Sequence, residues 1–223
     1  MHQRQQPSTS VLGDLRTLVP AHSRVTFTEA LRIAERQANR LLELRHVTSG
    51  PIASELISEL PKITIEYTSG LVWGASFWDA NRQAWVIHLS HAEPPAHNRF
   101  TLAHEFKHII DHGRQTMLYQ GTRQSDPAAQ AEQAADYFAG CLLVPRKFLK
   151  AAWKSGVQTT GELADMFQVS EYTIGNRLRQ IGLANQQHLR HLPPPLPFIA
   201  DDEIDSPPAD DLNDMVEEGA LPV

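Results

Sequence analysis

Two histidines four residues apart, with a glutamate after the first, lie in the stretch RFTLAHEFKHIIDHG at residues 99–113. Residues four apart on a helix lie on one face, about 6 Å apart along its axis. His104 and His108 could therefore offer ring nitrogens to one metal ion, with Glu105 beside the metal, where a general base can share a metal-bound water. The pattern also fits half-buried histidines on a core helix, since the chain contains 11 histidines.

A zinc site built on this pair needs a third protein ligand. His112 would lie about 12 Å along the helix from His104, and bonds of about 2 Å cannot bring both to one ion while His108 also binds. Asp111 lies nearly as far from His104 along the helix and is excluded as a third ligand for the same reason. The remaining candidate is Glu132, further along the chain.

Glu132 lies in the stretch AEQAADYFAGCLLVP, which is rich in alanine and glycine. Such small residues allow a second helix to approach the first closely, as the short side chain of a glutamate ligand requires. Asp136 follows one helical turn later and is placed to accept the outer N–H of a ligand histidine.

The two stretches together resemble the ImmA/IrrE family of metallopeptidases, whose signature joins an AHExGH helix to an ExxAxxFAxxLLMP helix. The likeness spans roughly residues 26–182. It implies zinc held by His104, His108 and Glu132, with Glu105 as the catalytic base, and Asp136 supports the site from behind the ligands.

The chain departs from the family signature at two positions. Lys107 stands where the family has glycine, and we expect it to flank the metal face opposite Glu105 and to alter local packing or pocket charge. Val144 replaces methionine, which is a minor apolar exchange.

Peptide hydrolysis at such a site also needs a donor for the developing oxyanion. His88, His91 and Tyr119 are candidates, although an ordinary surface or core position is the more common role of each such residue. The strand AWVIHLS before the histidine helix is predicted either as an exposed edge for an extended substrate or as a core strand.

The elements that position these residues indicate an α+β fold. Apolar residues at helical spacing predict helices over about 26–47, 128–144 and 146–155. The β-branched and aromatic stretches KITIEY, LVWGASFW and QAWVIHLS predict a sheet of about three strands, with a hairpin near residues 79–82. The resemblance implies a minimal zincin-like core followed by a helix-turn-helix-like helical unit.

We predict four regions along the chain. They are a flexible N-terminal arm (1–25), the zinc metallopeptidase core (26–156), the helix-turn-helix-like unit (157–191) and a proline-rich, then acidic, disordered tail (192–223). The tail contains nine acidic residues and no lysine or arginine, so the rest of the chain carries +3 of the net charge of −6.

The helix-turn-helix-like unit raises the question of DNA binding. Residues 157–191 contain three acidic residues and three arginines, so their net charge is zero. Because DNA affinity depends heavily on phosphate neutralisation, this balance argues against direct DNA binding. We favour a role in packing or substrate recognition.

Composition also bears on location. One cysteine, Cys141, fits a reducing compartment. We find neither an apolar secretory segment nor the roughly 20-residue apolar run that crosses a bilayer, so we expect a cytoplasmic protein without a membrane partner.

The function implied by the resemblance is zinc-dependent cleavage of a helix-turn-helix transcriptional repressor or an antitoxin that controls stress-response or mobile-element genes. Two alternatives are a non-catalytic DNA-binding or adaptor protein on a peptidase-like fold and a broader housekeeping zinc peptidase. The intact Glu105 and Glu132 argue against the first alternative.

Overall fold

The computed structural model of the protein describes residues 10–69, 74–123 and 125–183. Within these ranges the strands are β1 (Ile63–Thr68), β2 (Gly74–Asp79) and β3 (Ala84–Ser90). The helices are α1 (Val11–Thr17), α2 (Phe27–Leu44), α3 (Glu55–Ser58), α4 (Pro95–Asp111), α5 (Gln115–Leu118), α6 (Pro127–Leu143), α7 (Arg146–Lys154), α8 (Thr160–Phe167) and α9 (Glu171–Gln180).

Local chemistry sets the ends of the long helices. The Thr26 hydroxyl caps α2 by accepting the Glu29 backbone N–H, and the Asp126 carboxylate caps α6 by accepting the Ala129 N–H. Helix α6 also has a proline in its first turn, where no backbone donor is needed. The predicted helices over 26–47, 128–144 and 146–155 correspond to α2, α6 and α7.

The sheet has the strand order β1-β3-β2, with β3 parallel to β1 and antiparallel to β2. The α+β prediction with a small sheet and a β2–β3 hairpin is confirmed, although residues 71–73 of the predicted second strand lie outside the described residues. Of the two alternatives for the stretch AWVIHLS, the core strand is confirmed and the exposed edge is wrong. Strand β2 pairs with one side of β3 and β1 pairs with the other, so β3 is the central strand and β1 and β2 are the edges of the sheet.

The site helix α4 packs on one face of this sheet. Trp85, Ile87 and Leu89 of β3 are buried on that face, in one core with α2, α4 and α6. Ser76 of β2 is paired with Ile87 and therefore points to the same side. This arrangement holds α4 and α6 side by side.

Part of the predicted N-terminal arm is a structured element. Leu15 of α1 is fully buried and Val19 is nearly so, and Arg16 donates to the carbonyl oxygens of Ile109 and Ile110 at the end of α4. The prediction of a flexible arm is therefore wrong for residues 11–19. Helix α1 has only seven residues, too few for a clear helical period in the sequence. Residues 1–9 lie outside the described residues.

Helices α8 and α9 form the predicted helix-turn-helix-like pair, with Gln168 in the left-handed conformation between them. Arg177 of α9 is buried, and its Nε donates to the Val144 carbonyl at the end of α6. The pair is thus packed onto the core. Residues 184–191 of this predicted unit and the predicted tail, residues 192–223, lie outside the described residues.

None of the helices in the described ranges is both long enough and apolar enough to cross a bilayer.

Candidate metal centre

The structure brings the three predicted zinc ligands together. His104 and His108 lie one turn apart on α4, and Glu132 faces them from α6. The Glu132 oxygens lie 3.2 Å from His104 Nε2 and 3.4 Å from His108 Nε2, and the two Nε2 atoms are 3.0 Å apart.

These separations fit a tetrahedral zinc ion. Ligand atoms bonded to zinc at about 2.0–2.2 Å in tetrahedral geometry lie roughly 3.3–3.6 Å from one another. The three observed distances are close to that range, and both histidines present the same ring nitrogen to a common point. The Glu132 side chain is 63% exposed, so the centre is open on one side to an incoming molecule.

Asp136 lies one turn after Glu132 and fixes the orientation of the first histidine. The Nδ1–H of His104 donates to Asp136 Oδ1 at 2.8 Å, which directs Nε2 toward Glu132 and His108. Burial lowers the pKa of His104, but the hydrogen bond to Asp136 and the negative charges around the ring outweigh burial, and the pKa is raised. Burial and the neighbouring His104 lower the pKa of His108.

Glu105 lies between the metal ligands and strand β2 and is nearly buried, with 9% exposure. Its Oε2 accepts a hydrogen bond from the Ser76 hydroxyl at 2.8 Å. Strand β2 and helix α4 approach each other very closely here. A Cβ on Gly74 would lie 3.0 Å from Glu105 Oε1 and 2.4 Å from the Thr101 methyl carbon. The absence of a side chain at residue 74 therefore allows β2 to hold the carboxylate.

The cavity around the centre contains residues that sequence analysis missed. Besides His104, Glu105, Glu132 and Asp136, its lining consists of Gly74, His97, Phe100 and Thr101. His97 and Thr101 share one face of α4 with His104 and Glu105, so helical periodicity points to them. Ser76 and Gly74 give no such signal, because their approach depends on the register of β2 against α4.

The three residues considered as oxyanion donors lie elsewhere. His88 points to the opposite side of the sheet and contacts Glu66, and the His91 ring packs against Tyr67. The Tyr119 hydroxyl is buried and donates to Asp111. None of the three lines the cavity around the metal centre in the described part of the chain.

Lys107 does not alter the charge of the pocket as expected. It is completely buried, and its Nζ donates to Asp111 Oδ1 at 2.6 Å and to Gln37 Oε1 at 2.9 Å. Burial lowers the pKa of Lys107, and the Asp111 carboxylate opposes that effect. The side chain therefore belongs to the interface between α4 and α2, on the side of α4 away from the cavity.

The family assignment agrees with this geometry. The model of the peptidase M78 family, described as the IrrE N-terminal-like domain, matches residues 59–179, which is more than half of the chain. The chain therefore belongs to this metallopeptidase family. The matched range contains both helices of the centre and strand β2.

One solved structure gives an independent view of the fold. A Mycobacterium tuberculosis transcriptional regulator is similar to the chain with a TM-score of 0.55 and 17% identity, over 80% of this chain and 54% of the regulator. The chain thus spans about half the length of that regulator, and the likeness concerns the fold alone. No curated protein matches the chain.

Proposed function

We propose that the protein is a zinc-dependent endopeptidase. The observation that carries this proposal is the convergence of His104, His108 and Glu132, with the buried carboxylate of Glu105 beside them. Three protein ligands leave one tetrahedral position for water, which is the arrangement of a catalytic rather than a structural zinc site. Family membership supports the same chemistry.

The roles of the protein groups follow from their positions. Zinc, when bound, would supply Lewis acidity that activates a water and polarises the peptide carbonyl. Glu105 takes the proton from that water and passes it to the leaving amine. Ser76 holds one carboxylate oxygen of Glu105, and the other oxygen lies close to Gly74, 3.0 Å from where a Cβ of residue 74 would be. Asp136 keeps His104 in the tautomer that presents Nε2.

For the substrate we propose a helix-turn-helix transcriptional repressor or an antitoxin in the cytoplasm. The support is the resemblance to ImmA/IrrE peptidases and family membership. The exposed edge of β2, beside Glu105, suits a substrate segment bound in extended form.

Direct DNA reading by the helical unit is disfavoured by its packing. Thr173, Ile174, Asn176, Arg177 and Leu178 of α9 are buried against the rest of the protein. A recognition helix must present such a row of side chains to a DNA groove. Together with the neutral charge of residues 157–191, this burial favours a protein substrate over an adaptor that binds DNA.

The test is cleavage of the repressor encoded beside the gene for this protein. The two proteins are mixed with zinc, and the products are identified by mass spectrometry, with Glu105→Gln as the matched control. Wild type should cleave one bond, and Glu105→Gln should retain stoichiometric zinc but lose at least about 10²-fold in rate, because the base is removed and the ligands stay. His104→Ala should lose zinc in metal analysis.

Three outcomes would contradict parts of the proposal. Full activity of Glu105→Gln would exclude Glu105 as the base, and stoichiometric zinc in His104→Ala would exclude the ligand assignment. Cleavage of many unrelated proteins at similar rates would show that the protein is a peptidase of broad specificity and that the repressor is not its specific substrate.

A further inference from the structure

A groove of about 540 Å³ lies between helix α2 and the start of helix α7. Among the described residues that line it, five are cationic and two are acidic, so the lining carries a formal charge of +3. The cations are Arg32 and Arg36 of α2 and Arg146, Lys147 and Lys150 of α7. A concave surface with this charge attracts an anionic partner.

Most of the charge available to a partner belongs to α7. Glu29 pairs with both arginines that α2 contributes to the groove, at 3.4 and 2.6 Å. Glu35 lines the groove but is buried, and its carboxylate lies 3.3 Å from Arg146 and 3.6 Å from Arg177 of α9. The carboxylates of Glu29 and Glu35 are thus compensated within the protein.

Helix α7 has an unusually basic composition. Its residues, Arg146–Lys154, include four cations and no acidic residue. Lys147 is exposed and forms no ion pair within the described part of the chain. Lys150 follows three residues later, on the same side of the helix. The two lysines are therefore spaced to meet two carboxylates of one bound segment.

Apolar residues complete the lining of the groove. They are Leu42, Val47, Pro145 and Phe148. An occupant that carried charge alone would leave these side chains without an apolar partner. The groove therefore fits a peptide that combines acidic and apolar side chains better than it fits the phosphate backbone of a nucleic acid.

The acidic tail of the chain contains a segment with this composition. Residues 210–218, with the sequence DDLNDMVEE, combine five acidic residues with a leucine, a methionine and a valine. No lysine or arginine occurs anywhere in residues 192–223. The segment and the groove are thus complementary both in charge and in apolar character.

The tail is long enough to reach the groove. Arg177 of α9 lies 3.6 Å from Glu35, which lines the groove. The described chain ends at Leu183, six residues after Arg177 and therefore within about 20 Å of it. Residue 210 comes 27 residues later, and a segment of that length spans roughly 30 Å. Such a tether gives an effective concentration on the order of mM, at which weak contacts are sufficient.

We propose that the groove between α2 and α7 is the docking site of the chain's own acidic tail, with residues 210–218 seated in it. The tail carboxylates pair with Lys147 and Lys150, and its apolar side chains pack on Phe148. The groove adjoins the end of α6, and Glu132 lies about 16 Å before that end along the helix, so the docked segment does not cover the metal ligands. This inference is independent of the proposed peptidase function.

Paramagnetic relaxation in the full-length protein tests the contact. A nitroxide label is attached to Ala209→Cys, beside the segment, and amide signals are recorded from ¹⁵N-labelled protein. Cys141 is buried and should stay unlabelled, which wild type checks. The label should selectively broaden the amide signals of Arg36, Lys147 and Lys150. The broadening should be lost in about 1 M NaCl, where the Debye length is about 3 Å.

A charge reversal in the groove should remove the contact. Lys147→Glu/Lys150→Glu, made in the labelled chain, should abolish the selective broadening, because the tail then meets like charge. Lys62→Glu/Arg123→Glu is the matched control, since it changes the net charge equally at two exposed cations outside the groove. It should broaden the same signals as the labelled chain without these changes.

Two further measurements leave the residues of the groove unchanged. Asp210→Asn/Asp211→Asn/Asp214→Asn neutralises three tail carboxylates and should also abolish the broadening. A mixture of spin-labelled chain without ¹⁵N and unlabelled chain with ¹⁵N detects contacts between copies. It should show no selective broadening, because the tail docks on its own chain.

The position of the broadened signals decides the proposal. Broadening centred on His97, Thr101 and Glu132 would place the tail over the metal centre and overturn docking in the groove. Equal broadening in the mixed sample would assign the groove to the tail of a second copy and overturn docking within one chain. No selective broadening, or its persistence in Lys147→Glu/Lys150→Glu, would overturn the proposal as well. Each of these failures would leave the peptidase proposal unaffected, because no cleavage is measured.

Discussion

The Nδ1 atom of His104 donates a 2.8 Å hydrogen bond to Asp136 Oδ1, and this bond links the two helices of the metal centre behind the ligand atoms. Asp136 lies one turn after Glu132, so a single helix supplies both a proposed ligand and the hydrogen-bond partner of another proposed ligand. The bond fixes which nitrogen of His104 faces His108 and Glu132, and it would make that nitrogen a stronger donor to a bound zinc ion.

Removal of the Asp136 carboxylate should weaken zinc binding. We expect Asp136→Ala to lose about 10–100-fold in zinc affinity, because His104 loses its fixed tautomer and orientation. Competition with a fluorescent zinc chelator measures the constant. Asp165→Ala, an exposed change on α8, is the control and should bind zinc like wild type. Equal affinities of the two variants would show that Asp136 does not support the ligand.

Ser76 should affect catalysis without affecting the metal. Its hydroxyl holds Glu105 Oε2 at 2.8 Å and reaches no metal ligand. We expect Ser76→Ala to lower kcat by about tenfold with zinc affinity unchanged, because a misplaced base transfers the proton less efficiently. Steady-state kinetics measures the change in kcat, and a zinc titration measures whether the zinc affinity changes with it. A parallel loss of zinc would mean that Ser76 supports the whole site and not the base alone.

Gly74 should tolerate no side chain. An alanine Cβ there would lie 2.4 Å from the Thr101 methyl carbon and 3.0 Å from Glu105 Oε1, so strand and helix must separate. We expect Gly74→Ala to lose about 1–3 kcal/mol of unfolding free energy, together with activity.

A second substitution separates the two contacts of Gly74. Thr101→Ser removes the closer methyl carbon, so Gly74→Ala/Thr101→Ser should regain stability, measured by urea unfolding, while activity stays low because the contact with Glu105 persists. A double variant as unstable as Gly74→Ala would assign the strain to another contact.

The convergence of the proposed ligands was largely predictable from sequence because they lie on two helices. Helical spacing places His104 and His108 on one face and excludes His112, whose ring packs against Trp85 in the structure. The small residues around Glu132 indicate close packing of α6 on α4. The three-strand sheet was also predictable, because stretches rich in β-branched and aromatic residues indicate strands.

The parts that sequence did not predict depend on how distant elements meet. Ser76 contacts Glu105 because β2, and not β3, lies at the edge beside α4, and strand order is not encoded in any one strand. Lys107 looked like a pocket residue, but a charged side chain that finds buried partners on α2 and α4 can face the core. A cavity between the start of α4, helix α6 and helix α9 likewise depends on three elements that are distant in sequence.

Glu35 should make stability depend on pH in the acidic range. It is buried at the junction of α2, α6 and α7, where the Tyr137 hydroxyl donates to Oε2 at 2.9 Å and Arg146 Nε donates to Oε1 at 3.3 Å. Burial raises the pKa of Glu35, but Arg177, Arg146 and the Tyr137 hydrogen bond outweigh it and hold the pKa below its ordinary value of 4.5.

The sign of the effect follows from that lowered pKa. A carboxyl group with a lower pKa in the folded state stabilises the fold above its unfolded pKa, and this contribution is lost as pH falls through the folded pKa. Glu35→Gln should therefore cost about 3–5 kcal/mol near pH 7, since Arg177 loses its charged partner. The difference from wild type should shrink below pH 4.5. Urea unfolding at several pH values measures the two free energies of unfolding. A difference between the variant and wild type that does not change with pH would show that the charge of Glu35 does not stabilise the fold.

Lys107 and Asp111 should behave as one unit in the core. Lys107 Nζ lies 2.6 Å from Asp111 Oδ1, and both side chains are almost completely buried. Removing one partner of such a pair leaves the other charge without compensation, which costs about 3–5 kcal/mol, whereas removing both costs much less. We expect Asp111→Asn to be strongly destabilising, because the Lys107 ammonium loses its counter-charge.

The double variant Lys107→Met/Asp111→Asn tests that coupling. It should be more stable than Asp111→Asn alone, by more than about 1 kcal/mol, because the uncompensated ammonium is gone. Zinc affinity should be unchanged, since the pair faces Gln37 of α2 and not the metal cavity. Urea unfolding of the four proteins in the cycle gives the coupling energy. Simple additivity of the two single changes would show that the pair contributes no interaction of its own, and Lys107 would then be tolerated only for its packing.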